Sequence, residues 1–406
     1  MASDREFAVL VKFSCPYDLV ESALQQSAYL FAKQRRTICG GMHHMREIAC
    51  FSFPASAQGG CMTVVKQKPI VPPTQINEIM YAMWPAQALK AATQHHLFEA
   101  IDAEAKEAGE VARELKLDVR GTQLLLDAMV SLGFVAKSGD ELFKYQIAKT
   151  EVGEQARTYL IAKSPLYMGP WFAQGDELGK MWRNLPESIK TGKAVMEVNT
   201  DLQAEEIFPK LAEAIFPNSY ATAKQVATLL KTDKIKTEWL VLDLAAGSAV
   251  WSIPFAEASP KVKVDALDFD RVLKVTKHFT NKFAVQDRYA FITGNWRDVQ
   301  LKENAYDIVI LGHILHSEGR EVSKALLKRC FEVMKPGGRL VVAEMLANDD
   351  RTGPVFPLMF ALNMFLATTE GCVFTESELK EMIEEAGFKK PYRLAPDHVV
   401  VIAEKS

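Results

Sequence analysis

The sequence predicts an α/β fold: a doubly wound, mostly parallel sheet preceded by a mainly helical module. Three observations lead there. The apolar run Trp239–Leu242 is short enough for a strand buried on both faces, ends on Asp243, and passes through the small residues 245–249 into a helix opened by Val250, Trp251 and Ile253. Further apolar runs of strand length follow at 262–267, 289–293, 306–311 and 339–344, alternating with helical patterns. Ahead of them, residues 110–140 read as helix, turn, helix, Gly stop and a small β-wing.

Composition limits what the chain does. It has 406 residues, enough for two or three domains, with 48% hydrophobic and 24% charged residues, the balance of a water-soluble globular protein. A net charge of −3 gives no electrostatic reason to expect nucleic acid or an anionic membrane as partner. No apolar run reaches bilayer length, and residues 1–20 lack the basic start and apolar centre of a signal peptide. The six cysteines form no C-x-x-C pair, so neither a zinc ribbon nor a disulfide scaffold is expected, and the cytoplasm is the expected compartment.

Taken in order, residues 1–72 read as an N-terminal extension of weak order. A helix over 19–36 and a strand over 9–13 are its candidate elements, and Cys39, His43, His44 and Cys50 match no standard zinc spacing. Residues 73–198 form the helical module. Ile76, Ile79, Met80, Met83, Ala86, Leu89 and Ala92 recur at helical spacing, and His95–His96 read as a polar helix end. The second helix of the helix-turn-helix presents Gln123, Leu124, Leu126, Asp127 and Met129, an apolar face with an acid, where a DNA-reading helix needs cations. Self-association is the better reading. Trp171, Phe172, Met181 and Trp182 lie on helical segments and read first as packing. Residues 201–231 read as two helices broken at Pro217–Asn218.

Residues 199–406 form the sheet domain, and chemistry collects at its strand ends, where open α/β sheets bind ligands. A dinucleotide site asks for G-x-G-x-x-G; here the turn has Ala245, Ala246 and then Gly247, and Asp243 would repel a diphosphate. A cationic or zwitterionic cofactor fits better, and S-adenosylmethionine is one. Asp268 ends the second strand, placed for ribose hydroxyls. Asn295 and Trp296 follow the third, an amide and an indole suited to an adenine. His316 follows the fourth strand and Glu344 ends the fifth, so imidazole and carboxylate share the edge with Asp243 and Asp268. Residues 335–338 read as a helix stop before that fifth strand. Residues 356–366 form an apolar helix, 375–386 a helix capped by Thr375 and Glu378, and 398–403 a closing strand.

From about residue 73 onward, the segments VLDLAAGSA, VDALDFDRVL, ITGNWRDV, YDIVILGHILHSEG and KPGGRLVVAE resemble, in order and spacing, the S-adenosylmethionine-dependent O-methyltransferases of the caffeate and hydroxyindole type. The resemblance implies a Rossmann-like methyltransferase sheet behind a winged-helix dimerisation domain, hence a homodimer. By matching position, Asp243, Ala245, Ala246 and Gly247 fall on the cofactor turn and Asp268 on the ribose-holding acid. Asn295 and Trp296 fall beside the adenine, His316 on the general base, and Glu344 on a carboxylate flanking it. The chain departs from the family pattern in several places. Two turn glycines are alanines, which narrows the backbone's freedom. Asn295 stands for an aspartate, Gly312 for a lysine, Ser317 for an aspartate and Val373 for a second glutamate.

The expected reaction moves a methyl group from S-adenosylmethionine to a hydroxyl of a small aromatic molecule, with His316 as base and no metal. Trp171, Phe172, Met345, Phe360, Asn363 and Met364 suggest an apolar acceptor with a polar handle. Three other readings compete: N- or C-methylation or another activity on the same scaffold, a nicotinamide oxidoreductase, and a DNA-binding ligand sensor. The turn and Asp243 weigh against the second, and the acidic helix against the third.

Overall fold

A computed structural model describes residues 71–196, 201–395 and 398–406, with the backbone alone at 201–204. The candidate elements and the Cys39/His43/His44/Cys50 group at the N-terminus lie outside the described residues.

The helical module begins with two helices, Thr74–Tyr81 and Met83–Gln94, where the apolar spacing suggests one continuous helix; the break falls at Ala82. The helix Ala108–Leu115 opens with a capping box between Glu107 and Glu110. The helix Val119–Ser131 is capped by the Asp118 carboxylate, which accepts from the Gly121 N–H at 2.7 Å. It buries Thr122, Leu126 and Met129 and leaves Leu124 exposed. A three-stranded antiparallel wing of β1 (Lys106–Glu107), β3 (Lys144–Ile147) and β2 (Val135–Ser138), in that spatial order, completes the winged-helix pattern. Asp127, the acid on the second helix, accepts from Lys137 Nζ at 2.7 Å and from the Tyr145 hydroxyl at 2.9 Å, so it ties helix to wing.

The large sheet has the order β6-β5-β4-β7-β8-β10-β9. β4 (Trp239–Leu244), β5 (Val262–Asp268), β6 (Tyr289–Thr293), β7 (Tyr306–Gly312) and β8 (Met334–Ala343) run parallel. β9 (Lys389–Arg393) and β10 (Val400–Glu404) complete it antiparallel on the β8 side. Apolar clusters cover both faces. One includes Val241, Ile308, Val341 and Phe216; the other includes Leu242, Val309, Val342, Leu327 and Leu379. Burial on both faces explains why β4 and β7 carry continuous apolar runs.

Two local expectations are corrected, and one strand goes unsignalled in the sequence. Residues 201–229 form one helix with Pro209 and Pro217 inside it, not two helices broken at Pro217. Phe216 stacks on Phe279 at 4.0 Å between ring centroids, and Tyr220 sits 4.9 Å from Phe283, so aromatic packing on the helix Asp270–Lys282 and the residue that caps it holds the axis despite the lost N–H donors. The segment 335–338 lies within β8 instead of preceding it as a helix stop. β9 has no counterpart in the sequence reading, because its residues KKPYR lack an apolar period.

Candidate active site

The parallel register places every polar strand end on one edge. Leu244 pairs with Leu267 and Leu311, Asp268 with Thr293, and Gly312 with Ala343. The residues following these strands therefore converge.

At β4 the chain enters a tight turn with positive φ at Ala245 (57°), Gly247 (57°) and Ala249 (58°). Hydrogen bonds hold the turn from several sides. Ala246 N–H donates to the Leu267 carbonyl at 3.1 Å, and the Thr276 hydroxyl donates to the Gly247 carbonyl at 2.7 Å. The Asp268 carboxylate accepts from the Gly247 and Phe269 N–H groups, each at 2.8 Å, which leaves further lone pairs on both oxygens. Burial pushes the Asp268 carboxyl up to about 6, against the pull of those two N–H groups. Asp243 is more enclosed. Burial lifts its carboxyl to about 7; the Ser252 hydroxyl, donating at 2.5 Å, works against that, and the Asp268 charge adds to it. Ser252 also meets the Tyr289 hydroxyl at 3.0 Å.

Beyond β6, Asn295 Oδ1 accepts from the Arg297 N–H at 3.0 Å. The Arg297 guanidinium lies 4.7 Å from the Trp296 ring centroid and pairs with Glu318. Trp296 is buried, and its Nε1–H has no hydrogen-bond partner among the described residues. The same is true of the Trp251 indole N–H. A buried unmet donor is costly, and a bound ligand is one way such a group is met. An acceptor-rich adenine suits the Trp296 donor, and a ribose suits the spare lone pairs of Asp268. A sulfonium and an ammonium suit the two acids, so these residues fit S-adenosylmethionine.

The other half of the edge holds the imidazole. His316 sits on the short helix Leu315–Glu318 after β7. Its Nδ1 lies 2.8 Å from Glu344 Oε2, and its backbone N–H donates to Glu344 Oε1 at 3.3 Å. Glu344 is 1% exposed. Burial alone would raise its carboxyl, but the favourable electrostatics of the facing His316 ring and the hydrogen bonds from its Nδ1 and backbone N–H outweigh burial and hold it below the usual range. The carboxylate is thus ionised and can only accept, so His316 Nδ1 carries a proton, and in the neutral ring Nε2 is the atom with the lone pair. Phe360 meets the His316 ring edge to face at 4.9 Å, and Phe356 stacks on Phe360 at 6.0 Å. Trp182 Nε1–H donates to Asn363 Oδ1 at 2.9 Å, tying the helix Val355–Ala367 to the helix Gly169–Trp182. Met345 and Met364 are buried, and Phe172 is partly buried against the core of the helical module. Val373, where a second carboxylate was expected by analogy, is buried and brings no polar side-chain atom.

Two neighbours escaped the sequence reading. A Cβ at Gly312 would lie 2.2 Å from Trp251 Cδ1, so the glycine lets this indole cross the strand end. His313 follows with φ 61°, its ring 5.4 Å from Trp251 and 6.2 Å from His316. Burial drives its imidazole down to about 4; Glu344 opposes that and His316 adds to it, so His313 is neutral at pH 7. Only the Gly-His pair at a strand end signals these contacts, and the partner Trp251 is remote in sequence.

A family model described as an O-methyltransferase domain matches residues 203–389, and one described as an O-methyltransferase dimerisation domain matches residues 77–159. The chain is 24% identical over 318 residues to the tetracenomycin polyketide synthesis 8-O-methyl transferase TcmO of Streptomyces glaucescens, covering 78% of this chain and 91% of that one. It is 27% identical over 319 residues to acetylserotonin O-methyltransferase of Bos taurus, covering 75% and 89%. Its fold matches the crystal structure of human N-acetylserotonin methyltransferase in complex with SAM, with a TM-score of 0.70 at 22% identity, over 84% of this chain and 100% of that one.

Proposed function

The chain belongs to the O-methyltransferase family, and we propose that within it His316 is the general base and Glu344 the carboxylate that orients it. S-adenosylmethionine, the family's methyl donor, supplies when bound an electrophilic methyl carbon whose departure leaves a neutral thioether. The protein therefore has no leaving anion to stabilise; its tasks are to align the acceptor hydroxyl and to take its proton. A phenol ionises near pH 10 and a free imidazole near 6.5, so the proton moves as the oxygen attacks and not beforehand. His316 Nε2 is the atom with the lone pair for it, and the Glu344 carboxylate stabilises the resulting imidazolium across the 2.8 Å hydrogen bond. That buried imidazole–carboxylate pair is the observation that carries the reading.

The remaining assignments follow the same edge. Asp243, Ala245, Ala246 and Gly247 form the cofactor turn, Asp268 holds the ribose, and Asn295 and Trp296 flank the adenine. Phe360 and Phe356 supply an aromatic surface beside the base, which favours a small aromatic acceptor. Residues 73–198 serve dimerisation and 199–406 catalysis, with a homodimer as the working form. The cytoplasm is the proposed compartment. Cys330 and Cys372 are free thiols, and no helix among the described residues is long and apolar enough to cross a membrane.

The test is incubation of the full chain with methyl-labelled S-adenosylmethionine and a panel of phenols, reading label in product and S-adenosylhomocysteine released. His316→Ala is expected to lower turnover by about 100-fold or more, with the dissociation constant for S-adenosylhomocysteine little changed. Undiminished turnover in that variant would refute the base assignment.

A further inference from the structure

The strand end after β7 reads Gly312-His313-Ile314-Leu315-His316, and the structure brings its two imidazoles to the Glu344 carboxylate. One ligand-capable atom from each of His313, His316 and Glu344 lies within 4.8 Å of the others. We propose that these three side chains form a binding site for a divalent cation of the zinc, cobalt or nickel type, and that its occupation shuts the methyl-transfer site.

Four features support the site. First, the donor set is two imidazole nitrogens and one carboxylate oxygen, which suits borderline divalent metals over magnesium or calcium. Second, His313 Nδ1 is buried with no hydrogen-bond partner among the described residues, so a nitrogen already stands without a proton donor or acceptor of its own. Third, His313 is held in place at φ 61° by its N–H bond to the Ala343 carbonyl at 2.9 Å and by the Trp251 ring against its side chain. Fourth, the His316–Glu344 side of the site is near metal geometry, and His313, within 4.8 Å, has the remaining distance to close. His316 Nδ1 and Glu344 Oε2 share a proton across 2.8 Å. A tetrahedral zinc with ligands at about 2.0–2.1 Å holds neighbouring ligand atoms roughly 3.3 Å apart. The cation thus takes the place of the Nδ1 proton, the N···O gap opens slightly, and that proton passes through solvent to Nε2, so the bound ring stays a neutral imidazole.

Occupation has a direct consequence. The Glu344 charge that orients His316 is then spent on the metal, and the imidazole bound to it can no longer become an imidazolium. Binding itself rests on the geometry alone. Inhibition rests in addition on His316 being the base, so metal binding without inhibition would leave the site standing and overturn the base.

The experiment is titration of the full chain with Co2+ and Zn2+, by visible d–d absorption and by calorimetry. His313→Asn serves as the main variant, because asparagine tolerates positive φ and stands outside the methyl-transfer machinery. The wild type is expected to take up Co2+ with a tetrahedral spectrum that Zn2+ displaces. His313→Asn is expected to lose more than the roughly 10–100-fold in affinity typical of an outer-shell partner, and its methyl transfer to need correspondingly more Zn2+ for half-inhibition. Glu344→Gln, folded by circular dichroism, is expected to lose the same spectrum. Identical Co2+ spectra and affinities in the wild type and His313→Asn, or no tetrahedral spectrum in the wild type, would overturn the proposal.

Discussion

Asp243 carries a carboxyl that the fold keeps from ionising at a pH where a free one is fully charged. Its folded value of about 7 lies well above the unfolded value near 3.9, chiefly through burial. A raised carboxyl contributes stability that is fully present below the unfolded value and is lost as pH rises toward the folded one. Asp268 behaves likewise up to about 6, so the interval from pH 6 to 7 belongs to Asp243. Over that unit the ligand-free chain should lose on the order of 1 kcal/mol from this group. Asp243→Asn should flatten the fall, while the Ser252–Tyr289 contact remains. Urea unfolding at pH 6 and pH 7 of both proteins checks it; equal falls in the two would show that another group titrates. The same residue links stability to function: a cationic ligand beside it favours the ionised form, so binding should release protons in this pH interval.

The turn after β4 shows how an element can be partly read and partly hidden. Strand, small residues and helix are plain in the sequence, but which alanine bears strain is not. Ala245 has φ 57°, whereas Ala246, its neighbour in the same motif, does not have positive φ. A non-glycine residue in that region costs about 1–2 kcal/mol, and glycine's greater unfolded freedom costs roughly 0.5–1. Ala245→Gly should therefore stabilise the protein by a few tenths to about 1 kcal/mol, and Ala246→Gly should destabilise it by about 0.5–1. Melting temperatures that move in the same direction would refute the assignment of strain. Elsewhere legibility follows the range of the cause. Asp243, Asp268 and Glu344 were visible because a polar residue closing a buried apolar run marks a strand end, and His316 because it stands in the first turn after one. Thr375 and Glu378 were visible because a capping box is local, and the structure shows both of its hydrogen bonds. Pro217 misled because stacking of Phe216 on Phe279, 63 residues away by position, overrides a local breaker. Trp251 and His313 stayed hidden because their meeting depends on Gly312, whose missing side chain matters only once two strands and a turn are assembled.

At the scale of the whole molecule, the exposed apolar surface of the helices Thr74–Tyr81 and Met83–Gln94 calls for a partner. Ile76, Ile79, Met80, Met83 and Trp84 are all exposed, and their spacing follows one helical stripe. Water-soluble monomers seldom leave such a stripe uncovered. The match of residues 77–159 to a dimerisation domain names a second copy of this chain as the expected cover. Burying a side chain of this size yields about 1.5–3 kcal/mol, so a stripe of five, doubled by two-fold symmetry, has ample driving force. Charge placed in its middle should reverse that, since an unpaired carboxylate in an apolar interface costs several kcal/mol. The wild type is expected to run as a dimer by light scattering at micromolar concentration, and the double variant Ile79→Glu, Met83→Glu as a monomer. Its far-ultraviolet circular dichroism and its affinity for S-adenosylhomocysteine should be retained, because the cofactor turn and the His316–Glu344 pair lie on the sheet edge and are built from residues after 240. A wild type that is monomeric, or a double variant that stays dimeric, would show that some other surface joins the subunits.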